Sequence, residues 1–319
     1  MCVAVISMSC DRAPVECAET FGVLFTIKNH IPTRATAAIA EDELVEWCLY
    51  VADSRGKIVD ALSELTTSAL RNLPAGTYTA YAAVNCGLEE DAFTTETALK
   101  SYQCSFPGEV SGLTMFGSKA FNVPEDAHCD ISVSRLVSKV EVGKICVDFS
   151  EHPDLAARQF KIDAVYLINV PGSSTLEEDL SYIPSEWYNR LGYVSNSADA
   201  LLYDAVDVKV SSGSAYAVPH YFYCFQNNTE SDSREPSWSV RRTRLVIECS
   251  IGTRKTFYPV DIVGPGTTLL RNHLYRISEI TITGIGSDSP DAEITQQEAS
   301  NFSMTVSTWE GTHSIDETF

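Results

Sequence analysis

The chain has 319 residues, of which 44% are hydrophobic and 21% charged, so it can form two domains of ordinary size with a substantial core. Its formal net charge of −20 at pH 7 argues against nucleic acid as a partner, because phosphate would be repelled and no basic patch occurs along the chain. No apolar run is long enough to cross a membrane as a helix.

Apolar and small residues open the chain and lead to Cys10 (MCVAVISMSC). The segment is similar to the end of a lipoprotein signal peptide, with Cys10 as the residue that would be acylated. It is shorter than a complete signal and lacks a positively charged first region. Two interpretations stay open: a leader whose true start lies upstream, or an ordinary apolar N-terminus. We favour the leader and assign residues 1–17 to its remnant.

A strand with one apolar face is predicted next. Phe21, Val23, Phe25, Ile27 and Ile31 alternate with Gly22, Leu24, Thr26, Lys28 and His30. Small residues around Arg34 follow (PTRATAA), and proteases cut where such backbone is exposed and unpaired. On the residues alone, Arg34 would be an ordinary surface arginine.

Short strands separated by turns are predicted for the rest of the first half. They are a strand from Val45 to Val51, a turn at 53–56, a strand at 57–61, a tyrosine-rich strand at 78–84 and a short helix within 87–105. A long strand then runs from Val133 to Phe149, with an interruption at Gly143. We place a domain boundary near residue 150.

The second half repeats this pattern around one long segment. Strands are predicted at 162–170, 216–225, 240–251 and 256–263. The segment 171–207 is long for a loop and contains Trp187, Tyr188, Tyr193 and Tyr203. Packing against the body is the favoured role for most of these aromatic residues, and display for a ligand is the alternative.

Residue types that carry chemistry occur without a catalytic pattern. Arg242 and Arg244 are predicted on a solvated strand face, and His220 is predicted to be a structural residue. Asp288, Asp291 and Glu293 have a generic spacing for which solvation is favoured over calcium binding. No nucleophile, phosphate-binding or zinc motif is present, and the ten cysteines contain no C-x-x-C pair. We therefore predict no enzyme activity, no cofactor and no metal site.

Two strands are predicted near the C-terminus. In the first, Tyr275 and Ile277 share one phase and Ile280 and Ile282 the other, which indicates a bulge near Glu279. In the second, Phe302, Met304 and Val306 alternate with polar residues. A tail follows Trp309 (EGTHSIDETF), in which Gly311, His313, Ile315, Glu317 and Phe319 share one face. Such a half-apolar terminal strand is suited to the groove of another molecule.

Several of these segments, taken together and in order, resemble the fimbrillins, the FimA-like and Mfa-like subunits of type V pili in Gram-negative anaerobes of the Bacteroides type. The segments are Leu73–Gly76 followed by a tyrosine-rich strand ending in Asn85, Ser134-Arg135, Tyr258-Pro259-Val260, Leu270–Tyr275, Ile280–Gly284 and the closing strand into Trp309. The resemblance covers motifs from about residue 21 to 309.

The resemblance implies an all-β protein with two transthyretin-like Greek-key β-sandwich domains in tandem. The first would span 18–150 and begin with a cleavable strand, and the second would span 151–309. An arginine-specific protease would cut between Arg34 and Ala35 and displace the strand that carries Phe21, Val23, Phe25, Ile27 and Ile31. Residues 310–319 would be the donor strand, with Trp309, His313, Ile315 and Phe319 as its contact residues.

The implied protein is exported as a lipoprotein and displayed at the cell surface, in a fimbria or at the outer membrane. Its partners would be other pilin subunits, with a lipid anchor at Cys10 in the precursor. The tail is less apolar than the strand it would replace, so a tip or accessory subunit stands beside the favoured stalk subunit. From a different class, the alternative is a monomeric surface lipoprotein that adheres to a host glycan or protein through 171–207.

Overall fold

The fold is described from a computed structural model of the chain. The structure describes residues 19–28, 41, 43–64, 68–105, 112–192, 201–229, 238–264, 268–292, 300–309 and 314–315. Cys10, Ile31, Arg34, Ala35, Tyr193, Glu293, His313 and Phe319 lie outside them. Within these residues strands dominate, and no helix is long and apolar enough to cross a membrane.

The first part of the chain forms two facing sheets and one short helix. Its elements are β1 (Thr20–Lys28), β2 (Trp47–Asp53), β3 (Ile58–Glu64), β4 (Ser68–Pro74), β5 (Gly76–Val84), α1 (Glu96–Lys100), β6 (Gln103–Ser105), β7 (Met115–Val123), β8 (His128–Ser132) and β9 (Ser134–Arg135). One sheet has the order β4-β1-β8 and the other the order β3-β2-β5-β7-β9. Apolar side chains from both sheets form one core between them.

Strand β2 is buried on both faces, which explains why its composition is almost wholly apolar. Trp47, Leu49 and Val51 face the core shared with β1. Tyr50 and the other side chains on its face of the strand pack in a second core, which also contains the buried Leu99 of α1. The predicted alternation is therefore right for one face, but the predicted start is wrong, because Val45 precedes the strand and is 37% exposed.

The helix predicted within 87–105 is confirmed as α1. Thr95 caps it, because its hydroxyl accepts a hydrogen bond from the backbone N–H of Ala98 at 3.3 Å. The predicted turn at 53–56 is also confirmed. Gly56 closes it with a φ of +75°, a conformation that glycine adopts at little cost.

The rest of the chain forms two larger sheets and several short pairings. Its elements are β10 (Val137–Val147), α2 (Pro153–Ala156), β11 (Phe160–Ile168), β12 (Val170–Pro171), β13 (Ser173–Thr175), β14 (Trp187–Tyr188), a 3-10 turn (Arg190–Gly192), β15 (Tyr203–Val210), β16 (Ser214–Tyr216), β17 (His220–Phe225), β18 (Arg244–Ile251), β19 (Arg254–Asp261), β20 (His273–Ile282), β21 (Ser300–Thr308) and β22 (Ser314–Ile315). A six-stranded sheet contains β10, β16, β17, β20, β21 and β22, and a four-stranded sheet has the order β15-β11-β18-β19. Their facing side chains form the largest core.

The long strand predicted from Val133 to Phe149 is broken at Leu136 rather than at Gly143. Before the break, β9 pairs with β7 of the first part, and after it β10 pairs with β17 and β20 of the second. The change from one set of sheets to the other therefore lies at Leu136, earlier in the chain than the boundary predicted near residue 150. The all-β class is confirmed, while the division into two transthyretin-like Greek-key domains in tandem stays a prediction.

The bulge predicted near Glu279 is confirmed. The pairing of β20 with β21 shifts register between Ile277 and Glu279. This shift lets Tyr275 and Ile277 on one side of it, and Ile280 and Ile282 on the other, all reach the core. A strict period of two could not place both pairs on one face, so the bulge corrects the phase.

Candidate functional site

Strand β1 is the central strand of its sheet. It runs antiparallel to β4, from Thr20 opposite Pro74 to Thr26 opposite Ser68. It also runs parallel to β8, from Leu24 opposite His128 to Lys28 opposite Ser132. Among the described strands, β4 and β8 pair with β1 and with no other strand. Removing β1 would therefore leave two unpaired strand edges facing each other across a gap.

The inner face of β1 supplies the apolar content of this gap. Val23 and Phe25 are fully buried, and Ile27 is 5% exposed. Phe25 meets the ring of Phe121 edge to face at 5.3 Å, and Phe21 packs at the margin of the same core. Burial of each large side chain is worth about 1.5 to 3 kcal/mol, so an empty gap would favour capture of a replacement strand.

The C-terminal tail begins at Trp309, which is held against the body of the protein. The guanidinium of Arg135 lies over the indole ring at 4.4 Å, and the ring of Tyr223 stacks on it at 6.0 Å. The backbone N–H of Trp309 donates to the carbonyl of Asn272 at 2.9 Å. Beyond it, β22 pairs antiparallel with β21, with Ile315 opposite Val306 and Ser314 opposite Ser307. In this single chain, the backbone at 314–315 thus lies on the edge of the chain's own sheet.

The residues that the sequence predicts to take part in processing and strand exchange come together only in part. Phe21, Val23, Phe25 and Ile27 share one face of β1, while Trp309 and Ile315 belong to the opposite end of the chain. Ile31, Arg34, Ala35, His313, Phe319 and Cys10 lie outside the described residues, so their predicted roles stay predictions. Sequence patterns gave no sign of Arg135 and Tyr223 as neighbours of Trp309, because contacts between such distant strands leave no local periodicity.

The aromatic residues of the segment 171–207 mainly pack. Trp187 is 6% exposed, donates its indole N–H to the carbonyl of Pro184 at 2.9 Å and lies 5.8 Å from the ring of Trp238. Tyr203 stacks on Tyr166 at 5.5 Å. Among the described residues of this segment, the exposed large apolar side chains are Leu180 and Ile183, at 61% and 68%.

Leu180 and Ile183 border a shallow cavity of about 400 Å³. The cavity is also lined by Trp187 and by the amide side chains of Gln226 and Asn228. With Tyr182, two aromatic residues line the cavity, and aromatic rings, exposed aliphatic groups and amides are groups that contact a sugar or an extended peptide. This is the feature of the described surface that fits the alternative adhesive role.

The prediction of a solvated arginine face is wrong for Arg244. Its side chain is 3% exposed and lies 2.6 Å from Asp261 and 2.9 Å from Asp291. The carboxylate of Asp291 also accepts a hydrogen bond from the side-chain amide of Asn169 at 2.7 Å. Asp291 is therefore a buried partner of arginine rather than the solvated residue predicted, whereas Asp288 is exposed and pairs with Arg254. Contacts with two carboxylates, the buried Asp291 and the partly exposed Asp261, explain why Arg244 tolerates burial.

His220 lies in the core of the second part, as predicted for a structural residue. Its Nδ1 is 2.7 Å from a carboxylate oxygen of Asp204, and the ring stacks near Tyr216 and Phe222. Among the described residues no group of three or more His, Cys, Asp or Glu side chains is arranged to hold a metal ion. The seven described cysteines are unpaired thiols, and burial raises the pKa of the Cys104 thiol to about 12.

The chain is similar to known proteins in its structure. No protein-family model and no curated protein matches the sequence. The structure of a fimbrilin (FimA) from Porphyromonas gingivalis W83 matches with a TM-score of 0.67 at 16% identity, over 91% of this chain and 98% of the other. A protein from Bacteroides eggerthii, described as a candidate cell adhesion protein, matches with a TM-score of 0.67 at 16% identity, over 92% and 97%.

The tip fimbrial protein Mfa3 from P. gingivalis is also similar, with a TM-score of 0.51 at 12% identity over 89% of this chain and 99% of that one. At these identities the likeness defines the fold alone. The chain has the all-β fold seen in fimbrilins and in proteins described as candidates for cell adhesion, and the match extends over nearly the full length of both.

Proposed function

We propose that the protein is a structural subunit of a type V pilus, assembled by exchange of its first strand. The observation that carries the proposal is the position of β1, a central strand that, among the described strands, alone joins β4 to β8 and that buries Val23, Phe25 and Ile27. Arg34-Ala35 follows this strand in the sequence. The shared fold of a fimbrilin and a tip fimbrial protein supports the same reading.

In this proposal the subunit is exported as a lipoprotein acylated at Cys10 and reaches the cell surface. An arginine-specific protease cuts between Arg34 and Ala35, and β1 departs. A strand from another pilin subunit then enters the gap by β-augmentation, in which main-chain hydrogen bonds restore both edges and apolar side chains refill the core. The protein acts as a structural element and needs no enzymatic activity or cofactor.

We propose residues 310–319 as the donor strand for the next subunit, rooted at Trp309. Ile315 and Phe319 would be its main apolar contacts, with His313 on the same face. Because this face is less apolar than that of β1, the stalk position is favoured only narrowly over a tip or accessory position. We propose that the chain consists of a leader remnant, two β-sandwich domains and a terminal donor strand. The boundary between the two sandwiches is placed at Leu136, because β10 pairs with strands of the second part.

Mild trypsin treatment of the purified protein tests the proposal, with mass analysis of the new N-terminus and electron microscopy of the product. We expect a stable product that begins at Ala35 and forms filaments, and we expect an Arg34→Gln variant to stay uncut there and to remain monomeric. A stable Ala35 product that never polymerises would assign the protein to a tip or accessory position. Resistance of Arg34 in the folded protein would refute processing.

A second candidate is a monomeric surface adhesin that binds a host glycan or protein. The cavity of about 400 Å³ bordered by the exposed Leu180 and Ile183 favours it. If this role holds, a Leu180→Ser/Ile183→Ser variant would lose adhesion to host cells, and whatever filament formation the wild-type protein shows would be unchanged in it. Removal of 310–319 would do the reverse if the pilus role holds, so the two variants separate the two functions.

A further inference from the structure

Five side chains from distant parts of the chain meet between the two sets of sheets. We call Glu41, Arg135, Lys139, Tyr223 and Trp309 the junction cluster. Glu41 lies between the predicted cleavage site and β2, Arg135 and Lys139 flank the break between β9 and β10, Tyr223 lies in β17, and Trp309 follows β21.

Glu41 makes three contacts in this cluster. One carboxylate oxygen accepts from the Lys139 ammonium at 2.6 Å and from the Tyr223 hydroxyl at 2.5 Å. Its backbone carbonyl accepts from the Nε–H of Arg135 at 3.4 Å. Burial, together with the hydrogen bond to Glu41, raises the pKa of the Tyr223 phenol above its usual value, so this hydroxyl stays a donor.

The contacts of Glu41 are shielded from water. Arg135 is 2% exposed and Lys139 is 8% exposed. Two cations so deeply buried are tolerated only when anions or acceptors face them, and removing one partner leaves an uncompensated charge. The carboxylate of Glu41 is therefore held by the Lys139 ammonium and the Tyr223 hydroxyl, and its backbone carbonyl by Arg135, independently of the covalent chain that precedes it.

Arg135 and Tyr223 also hold the root of the tail. The guanidinium of Arg135 donates a hydrogen bond to the backbone carbonyl of Glu41 and lies over the ring of Trp309. Tyr223 binds Glu41 through its hydroxyl and stacks on Trp309 through its ring. Arg135 and Tyr223 thus each touch both Trp309 and Glu41, so loss of one contact weakens the other.

The exit of β1 lies near this cluster along the chain. β1 ends at Lys28 opposite Ser132 of β8, and the chain runs from there through Val133 into β9, which contains Arg135. The chain between the end of β1 and Glu41 carries the predicted cleavage site. The tail leaves from Trp309. β1 and the C-terminal tail would both have to move during strand exchange. Both segments therefore leave the body of the protein at the junction cluster.

We propose that the junction cluster is a shared anchor that stays closed when the chain is cut after Arg34. Glu41 is the first described residue after the predicted cleavage site and remains in place in the processed subunit, and Arg135 and Tyr223 fix the point from which the tail departs. Glu41 acts as a positioning residue for the tail through these two side chains. The roles of β1 and the tail in assembly rest on the proposed function, but the contacts that couple Glu41 to Trp309 are present in the uncut protein.

Hydrogen exchange followed by mass spectrometry on the uncut, full-length protein tests the coupling. In Glu41→Gln the anion is lost while the shape is kept, so we expect backbone exchange in residues 300–309 to rise by about tenfold or more, with β18 and β19 unchanged. Glu43→Gln is the matched control, because Glu43 is exposed and the same charge is removed nearby. Wild-type rates at 300–309 in Glu41→Gln, or an equal rise in every strand, would overturn the proposal.

A second measurement tests whether the anchor survives processing. Wild-type protein cut by trypsin should retain the uncut exchange rates at 300–309, whereas a rise on cutting would show that the cluster opens and would refute a closed anchor. Tyr223→Phe, which keeps the ring but loses the hydroxyl, should give a smaller rise than Glu41→Gln. If Arg34 resists trypsin, the proposed processing fails, while the exchange result on uncut protein still decides the coupling.

Discussion

Gly143 of β10 and Ser278 of β20 lie so close together that no larger residue fits at position 143. A Cβ atom on Gly143 would lie 2.4 Å from the carbonyl oxygen of Ser278. On either side, Val142 pairs with Ile277 and Lys144 with Glu279, so the bulge in β20 presses against the glycine. The glycine that interrupts the apolar pattern therefore marks a close approach of two backbones rather than a break in the strand.

Replacing Gly143 by alanine should lower the free energy of unfolding by about 1 to 3 kcal/mol, because the added methyl group must displace backbone. Urea denaturation would measure the loss. Gly22→Ala is the control, since its Cβ would meet its nearest atoms at 3.6 and 3.7 Å, which are ordinary contact distances. Equal effects of the two substitutions would contradict the close-approach interpretation.

Truncation of Phe25 should affect the uncut and the assembled protein differently. Phe25→Ala removes a fully buried ring, so the uncut protein should lose about 3 to 5 kcal/mol of stability. Filaments grown from processed subunits should keep their wild-type thermal stability, because β1 is absent from them. Leu24→Ala, on the half-buried outer face of the same strand, should change the uncut protein much less. Filaments weakened by Phe25→Ala would mean that β1 stays in place.

A cross-link should reveal whether the tail must leave β21 before assembly. Ser307 and Ser314 are directly opposite in antiparallel strands, where Cα atoms lie about 4.5 to 5.5 Å apart, within the range of a disulfide. We expect the oxidised Ser307→Cys/Ser314→Cys variant to be cut after Arg34 but to stay monomeric, and reduction to restore filaments. Each single cysteine variant is a control. Normal filaments from the oxidised form would show that the tail is not the donor.

Loss of the Asp291 carboxylate should destabilise the protein through Arg244. Asp291→Asn leaves the 3% exposed guanidinium with Asp261 as its remaining described carboxylate contact within ion-pair distance, so we expect a loss of about 2 to 4 kcal/mol in chemical denaturation. Asp288→Asn removes the same charge from a side chain that is 81% exposed, and should have almost no effect. Similar losses for both variants would contradict a specific role for the buried pair.

Alkaline pH should unfold the protein as its buried tyrosines ionise. Burial raises the pKa of Tyr50, Tyr166 and Tyr258 above that of an exposed phenol. Because the folded-state pKa is the higher one, their contribution to stability is complete below about pH 10 and is lost as pH rises further. The part of the phenolate absorbance that comes from these buried tyrosines should appear together with the change in circular dichroism, in one transition above that pH. Complete ionisation of the tyrosines with the circular dichroism of the folded protein unchanged would contradict the expectation.

Local patterns in the sequence were sufficient wherever the physical cause is local. Alternation placed the apolar face of β1 and the two phases of β20, since side chains in a strand have a period of two and a slip requires a bulge. Turn chemistry placed Gly56, and a capping threonine begins α1 within the region predicted to be helical. The all-β class follows from the same signals.

Tertiary structure alone decided which strands pair and which charges are buried. Alternation is identical for a strand that belongs to either set of sheets, so it could not assign β10 to the second set, and it gave no sign of β4 and β8 as the neighbours of β1. Arg244 resembles a solvated arginine until Asp261 and Asp291 are brought to it from other segments. Glu41 and Trp309 lie near opposite ends of the chain and share neighbours only because long-range pairing, which depends on packing free energy rather than on local periodicity, closes the fold around them.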